Sequence, residues 1–194
     1  METKNGIEAI AAPTNKEWRA WLAKNGKEKD AVFLIIYHKD SPTASIGYKE
    51  SIEHALCYGW IDSKAIKRDE ESFYLTFTKR NPKSKWSTVN KERAGRMIAE
   101  GLMAPEGQAM IDLAKETGAW DALEEAGNAV IPEDLQKAFD DNPKASEHFD
   151  KFPPSSKRLI LEWILNAKRP ETREKRIAQS VEMAANNERA NHPR

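Results

Sequence analysis

The sequence predicts an α+β protein: an N-terminal domain with a small antiparallel sheet packed on helices, then an all-α C-terminal module. Three observations predict this. In residues 72–79, Phe73, Leu75 and Phe77 alternate with Tyr74, Thr76 and Thr78, the period of a half-buried strand. The short run Ala31–His38 is dense in β-branched and aromatic residues, as a buried strand is. Beyond residue 105 the apolar residues recur at helical spacing, and Pro105, Pro132, Pro143 and Pro170 each suit a first helical turn.

The elements follow in order. Thr14-Asn15-Lys16-Glu17 has the spacing of a capping box and opens a helix presenting Trp18, Trp21 and Leu22, closed at Asn25-Gly26. After the Ala31–His38 strand, a second helix runs from about Tyr48 to Tyr58 and stops at Gly59. Residues 61–68 and 72–79 form a hairpin across Asp69-Glu70-Glu71. Pro82 breaks the chain, and Ser87 is placed to cap a helix reaching Glu100. In the helical half, residues 154–167 form the best core element, with only Arg158, Glu162 and Asn166 as a polar stripe. A last helix from Pro170 turns Ile177, Val181 and Ala184 inward, and the tail after Asn187 is expected to be disordered. Gly118, Gly127 and Asn128 interrupt the pattern, which sets expected domains at 1–118 and 131–194 with a linker at 119–130.

Composition excludes several function classes. Thirty-one basic residues balance thirty-one acidic ones, so bulk charge points to no particular partner. The charge is nevertheless segregated: residues 79–96 carry seven basic side chains and Glu92 alone as acid, while residues 112–150 are acidic. Cys57 is the only cysteine, which rules out an intrachain disulfide and any multi-cysteine metal site. The longest apolar run is far short of the roughly 20 residues a spanning helix needs, so no membrane insertion is expected and the protein reads as soluble and cytoplasmic. No metal-ligand spacing, nucleophile signature or phosphate loop occurs, and neither a cofactor nor a metal is expected. His38, His148 and His192 are scattered and read as ordinary surface or packing residues.

The stretch from Tyr58 to Asn90 holds six of the sixteen aromatic residues. Within and around it, Ala55-Leu56-Cys57-Tyr58-Gly59-Trp60-Ile61-Asp62-Ser63, then Phe77-Thr78-Lys79-Arg80 and Ser84-Lys85-Trp86-Ser87, with Asn90 and Glu92-Arg93 after them, resemble the first domain of the YdeI/OmpD-associated (OmdA-type) family. Pro132-Glu133-Asp134-Leu135 and Ala167-Lys168-Arg169-Pro170-Glu171-Thr172-Arg173 resemble that family's small helical module. Lys79, where the family usually places proline, and Gly47, where it places a Ser or Thr cap, depart from the pattern. The resemblance implies a YjbR-like or frataxin-like N-terminal domain and a link to protection against bacteriocins and cationic peptides. It implies no established chemistry.

Eight residues form the candidate ligand site: Trp60, Asp62, Ser63, Arg80, Lys85, Trp86, Ser87 and Asn90. Polar groups beside aromatics are how recognition surfaces are built. Trp60 either roofs a pocket or fills the core, and Asp62 either accepts from a ligand or pairs with Arg80; the residues leave both open. Ser87 and Asn90 lie at a helix start, where amides attract anions, and Arg80 and Lys85 add charge. Cys57 and His54, three apart on one helix, have the spacing of a thiolate–imidazole pair, but a cysteine among apolar neighbours reads first as a small buried hydrophobe. The sequence therefore points to a non-catalytic binding protein for an anionic small molecule or peptide-like ligand. The alternative is weak nucleic-acid binding through residues 79–96, and an enzyme using Asp62 with Arg80 ranks last. The oligomeric state is left open.

Overall fold

The structure, a computed structural model, describes residues 2–191; His192 of the expected tail lies outside the described residues. The fold is α+β. In chain order the elements are β1 (Glu2–Lys4), β2 (Ile7–Ala11), α1 (Asn15–Asn25), β3 (Ala31–Tyr37), α2 (Tyr48–Leu56), β4 (Trp60–Lys67), β5 (Ser72–Lys79), α3 (Thr88–Ala99) and α4 (Pro105–Glu116), then α5 (Glu124–Gly127), α6 (Glu133–Asp140), α7 (Pro143–Lys151), α8 (Pro154–Leu165) and α9 (Pro170–Ala185). The chain divides into two compact units. One takes the residues up to Ser84 together with Val89–Thr117; the other takes Lys85–Thr88 together with the chain from Gly118 on.

The first unit is built on a five-stranded sheet in the order β1-β2-β3-β5-β4. The hairpin of β4 and β5 and its pairing with β3 are antiparallel, but β2 pairs with β3 in parallel, so the sheet is mixed and larger than the small antiparallel one expected. The cause is local: β2, α1 and β3 form a β-α-β crossover, which returns the chain in the same direction. β1 and β2 escape prediction because Ile7-Glu8-Ala9-Ile10-Ala11 is alanine-rich and weak as a strand by composition. The turn between them is tight: Asn5 and Gly6 both take the left-handed conformation (φ 51° and 77°) that an Asn-Gly hairpin requires.

The two faces of this sheet are covered differently. On one, Trp18 of α1 packs on Phe77 of β5 at 5.1 Å and stacks on Trp21 at 5.5 Å, and its indole N–H donates to Ser51 O of α2. The capping box forms as the sequence predicts: Glu17 N donates to Thr14 Oγ1 at 3.3 Å, and Thr14 N donates to Glu17 Oε2 at 3.0 Å. On the other face Phe33, Ile35, Tyr74 and Ala9 form a small apolar cluster. Beside that cluster Glu2 of β1 accepts from Arg68 and from the Tyr74 hydroxyl of β5, which ties the two ends of the sheet together. α4 seats against the end of α2 through amides of Ala104 and Gly107, both donating to Cys57 O at 3.1 Å. A side chain at Gly107 would place its Cβ 2.3 Å from that same oxygen, so the approach requires glycine.

The second unit contains α5–α9 around a core that includes Leu135, Phe139, Phe149, Ile160, Leu161, Ile164 and Ala184. Phe139 and Phe149 meet at 4.9 Å, and Arg173 of α9 grips Asp134 of α6 with two bonds of 2.6 and 2.8 Å. Within residues 119–130, Leu123 and Ala126 are buried. The tail is ordered through Asn191, against expectation: Ala190 is buried, Arg189 donates to Ser156 and Asn191 donates to Leu159 O. Glu162, expected on a solvated stripe of α8, is 5% exposed and accepts from the Thr88 amide at 2.8 Å.

Candidate functional site

Gly59, at φ +74°, turns the chain from α2 into β4 and delivers Trp60, Ile61 and Asp62 in extended conformation. Residues two apart on a strand share a face, so Asp62 follows Trp60 toward the helices. There the Tyr48 hydroxyl, from the first turn of α2, donates to Asp62 Oδ2 across 3.4 Å. The Arg93 guanidinium of α3 acts on Asp62 electrostatically and donates to Asn90 Oδ1 at 3.0 Å, one helical turn back. Ser63 is exposed beside the irregularity that shifts β4 against β5 between Asp62 and Ala65. Three elements thus bring a carboxylate, a guanidinium, an amide and a phenol to one face of the first unit.

The carboxylate is poorly served there. Burial pushes the Asp62 pKa above the usual aspartate range, and the nearby Arg93 charge, the backbone amide of Asp62 itself and the Tyr48 hydroxyl offset only part of that rise. Its side-chain hydrogen bond, at 3.4 Å, is long and weak for a carboxylate, which accepts several donors when well satisfied. An incoming N–H would therefore find an acceptor that gains from it, and the adjacent guanidinium would take an anionic group.

The eight residues named from sequence fall in different surroundings. Asp62 and Asn90 come together through Arg93. Trp60 is core: it is 1% exposed, donates to Gly26 O and meets Trp21 edge-on at 5.9 Å. Arg80 is buried, and that burial pushes its guanidinium down to about 10; the cation acting on Asp62 is Arg93. Lys85, Trp86 and Ser87 belong to the second unit, where Lys85 Nζ donates to Leu165 O and the buried Trp86 packs on Trp120 at 5.0 Å. Sequence reasoning missed Tyr48 and Arg93. The (i, i+3) spacing of Asn90 and Arg93 was a usable signal; nothing local linked Tyr48 to Asp62.

Other reactive groups are held as structure. Cys57 is fully buried and donates to Glu53 O, and burial pushes its thiol pKa up, so it supplies no thiolate. His54 accepts from Arg19 Nη1 at 3.3 Å; burial, then the Arg19 charge, holds its pKa down and keeps the ring neutral. His148 Nδ1 donates to Ala184 O at 2.8 Å, and His38 lies against Phe73. Among the described residues no group of three or more His, Cys, Asp or Glu is placed to hold a metal ion, and no helix is long and apolar enough to cross a membrane.

No curated protein and no solved structure matches the chain significantly. Two family models match it, over residues 10–110 and residues 128–187. The first spans just over half of the chain and includes Tyr48, Asp62, Asn90 and Arg93; the second lies within the helical unit. The protein belongs to the family described as Domain of unknown function (DUF8412) and carries, at residues 128–187, a domain described as Bacteriocin-protection, YdeI or OmpD-Associated.

Proposed function

We propose that this is a non-catalytic, cytoplasmic binding protein that takes a peptide-like ligand carrying an anionic group, in protection against bacteriocins or cationic peptides. One observation carries the reading: a half-buried carboxylate whose side-chain hydrogen bond is long stands beside an arginine bonded to Asn90. A peptide offers the complement, an N–H for Asp62 and a carboxylate or carbonyl for Arg93. Ser63 completes the proposed contacts on this unit. The link to bacteriocin protection rests on the description of the C-terminal domain.

Nucleic-acid binding through residues 79–96 has less support. Lys79 pairs with Asp30, Arg96 with Glu53, and Lys85 is committed to a backbone carbonyl. The presence of Asp62 beside Arg93 also opposes a phosphate backbone. A thermal-shift screen of short peptides, small anions and a single-stranded oligonucleotide tests the proposal, because any ligand of the native state raises the melting temperature. The expected result is stabilisation by a peptide, weakened at least about tenfold by Arg93→Met, the scale of one lost charge-assisted contact. Stabilisation by the oligonucleotide alone, falling steeply with salt, would favour the nucleic-acid reading instead.

A further inference from the structure

Beside Tyr48 lies an open cleft of about 490 Å³, walled by the end of β3, the loop from His38 to Gly47 and Phe73 of β5. Its aromatic walls are Tyr37, Tyr48 and Phe73, and the His38 ring lies 5.6 Å from Phe73 at its border. Hydroxyl groups line it too, and those of Ser45 and Ser41 are engaged by the protein's own groups. Ser45 Oγ accepts from Tyr37 N at 3.0 Å; Ser41 Oγ accepts from Thr43 N at 3.2 Å and donates to Glu71 Oε2 at 3.3 Å. The cleft therefore offers aromatic stacking surface beside serine hydroxyls that are already engaged. Its volume falls in the range of small-ligand pockets, about 300–1,000 Å³. Tyr48 joins it to the site described above, lining the cleft while its hydroxyl reaches Asp62.

We infer that this cleft is the side-chain pocket of the same binding site and that it selects an aromatic residue of a peptide. The inference rests on the proposal that Asp62 and Arg93 hold the peptide's polar groups. Lys39 lines the cleft, and the carboxylates that reach its lining residues, Glu71 at Ser41 and Asp62 at Tyr48, are held there by those hydroxyls. A lysine or arginine side chain would meet the Lys39 ammonium there and carboxylates already engaged. A carboxylate would lose its water with few donors in return. A ring gains apolar burial, stacking on Tyr37, Tyr48 or Phe73, and the attraction of the Lys39 ammonium for a π face.

The test is to pan a displayed library of random heptapeptides on the full chain and measure the enriched peptides against three variants. Ala44 is an exposed residue on the cleft wall, so Ala44→Trp fills the pocket without touching Asp62 or Arg93. An unchanged melting temperature verifies its fold. Enriched peptides are expected to share an aromatic residue. Replacing that residue with alanine, or binding to Ala44→Trp, is expected to weaken affinity about 10- to 100-fold, the worth of burying one large apolar side chain. Binders without an aromatic residue, or aromatic binders indifferent to Ala44→Trp yet lost on Asp62→Asn, overturn the pocket and leave the Asp62 reading standing. Binding indifferent to both Asp62→Asn and Arg93→Met, or no enrichment at all, overturns that reading and the pocket with it.

Discussion

Glu2 and Asp62 are carboxylates on the same sheet, at its two opposite edges, and they are treated in opposite ways. Glu2 on β1 accepts from Arg68 through both oxygens and from the Tyr74 hydroxyl, and these bonds, Arg68 first, hold its pKa below the usual glutamate range. Asp62 on β4 has a long bond from the Tyr48 side chain and a contact from its own backbone amide, and burial drives its pKa the other way. The first is satisfied by the fold and ties the two ends of the sheet together. The second costs the fold something and is kept beside an arginine. A carboxylate that works against stability in its own protein is the better candidate for a binding group.

The contrast is open to four attacks, the largest first. Arg68→Met leaves Glu2 with Tyr74 alone and is expected to cost about 1 kcal/mol, the upper end for a partly exposed ion pair, read in chemical denaturation. A loss within error would mean that β1 is held by its backbone pairing and not by the clamp. The second attack uses acid. The folded pKa of Glu2 is depressed, so its stabilisation is present above the unfolded pKa and is lost as pH falls through the folded value. Asp69, held low first by Ser72, contributes to the same limb. Arg68→Met is therefore expected to flatten the decline in melting temperature below about pH 4.5, near the unperturbed pKa of a glutamate.

For Asp62 the sign reverses. Its folded pKa lies above the unfolded one, so ionisation weakens the fold as pH rises through that interval. Asp62→Asn is expected to stabilise the protein at pH 7 by a small amount, on the order of 0.5 kcal/mol, while removing peptide binding. A variant that melts markedly earlier would make Asp62 a structural residue. The smallest effect belongs to Tyr48→Phe, which removes a single long hydrogen bond on an exposed ring. Its stability is expected to stay within about 0.5 kcal/mol of the wild type.

Much of the fold was legible where local signals agree with packing. Thr14 and Glu17 form the capping box, residues 72–79 form the alternating strand, and Pro105, Pro143 and Pro170 begin helices. β2 was not legible because its alanines become strand only by pairing with β3 across the α1 crossover. The site was half legible. Asp62 and Asn90 carry polar groups beside a conspicuous aromatic motif, but Tyr48 and Arg93 join them only through tertiary approach. An indole next to a helix-stopping glycine suits a core and a pocket equally, so Trp60 was undecidable until Gly26 O and Trp21 were placed around it. Glu162 misled for a similar reason: its position on α8 looks solvated, and its partner amide at Thr88 is 74 residues away.

The excursion of Lys85–Thr88 into the second unit has a consequence for biosynthesis. Ala119, Glu162 and Leu165 supply the partners of Trp86 N, Thr88 N and Lys85 Nζ, and Trp120 supplies the ring beside Trp86. All of them leave the ribosome after residues 85–88 have been synthesised. During translation Trp86 waits for Ala119 and Trp120 in a chain whose first unit otherwise ends at Thr117. A fragment ending there lacks those partners permanently, and chaperone engagement or aggregation of nascent chains is expected to concentrate in that interval of elongation.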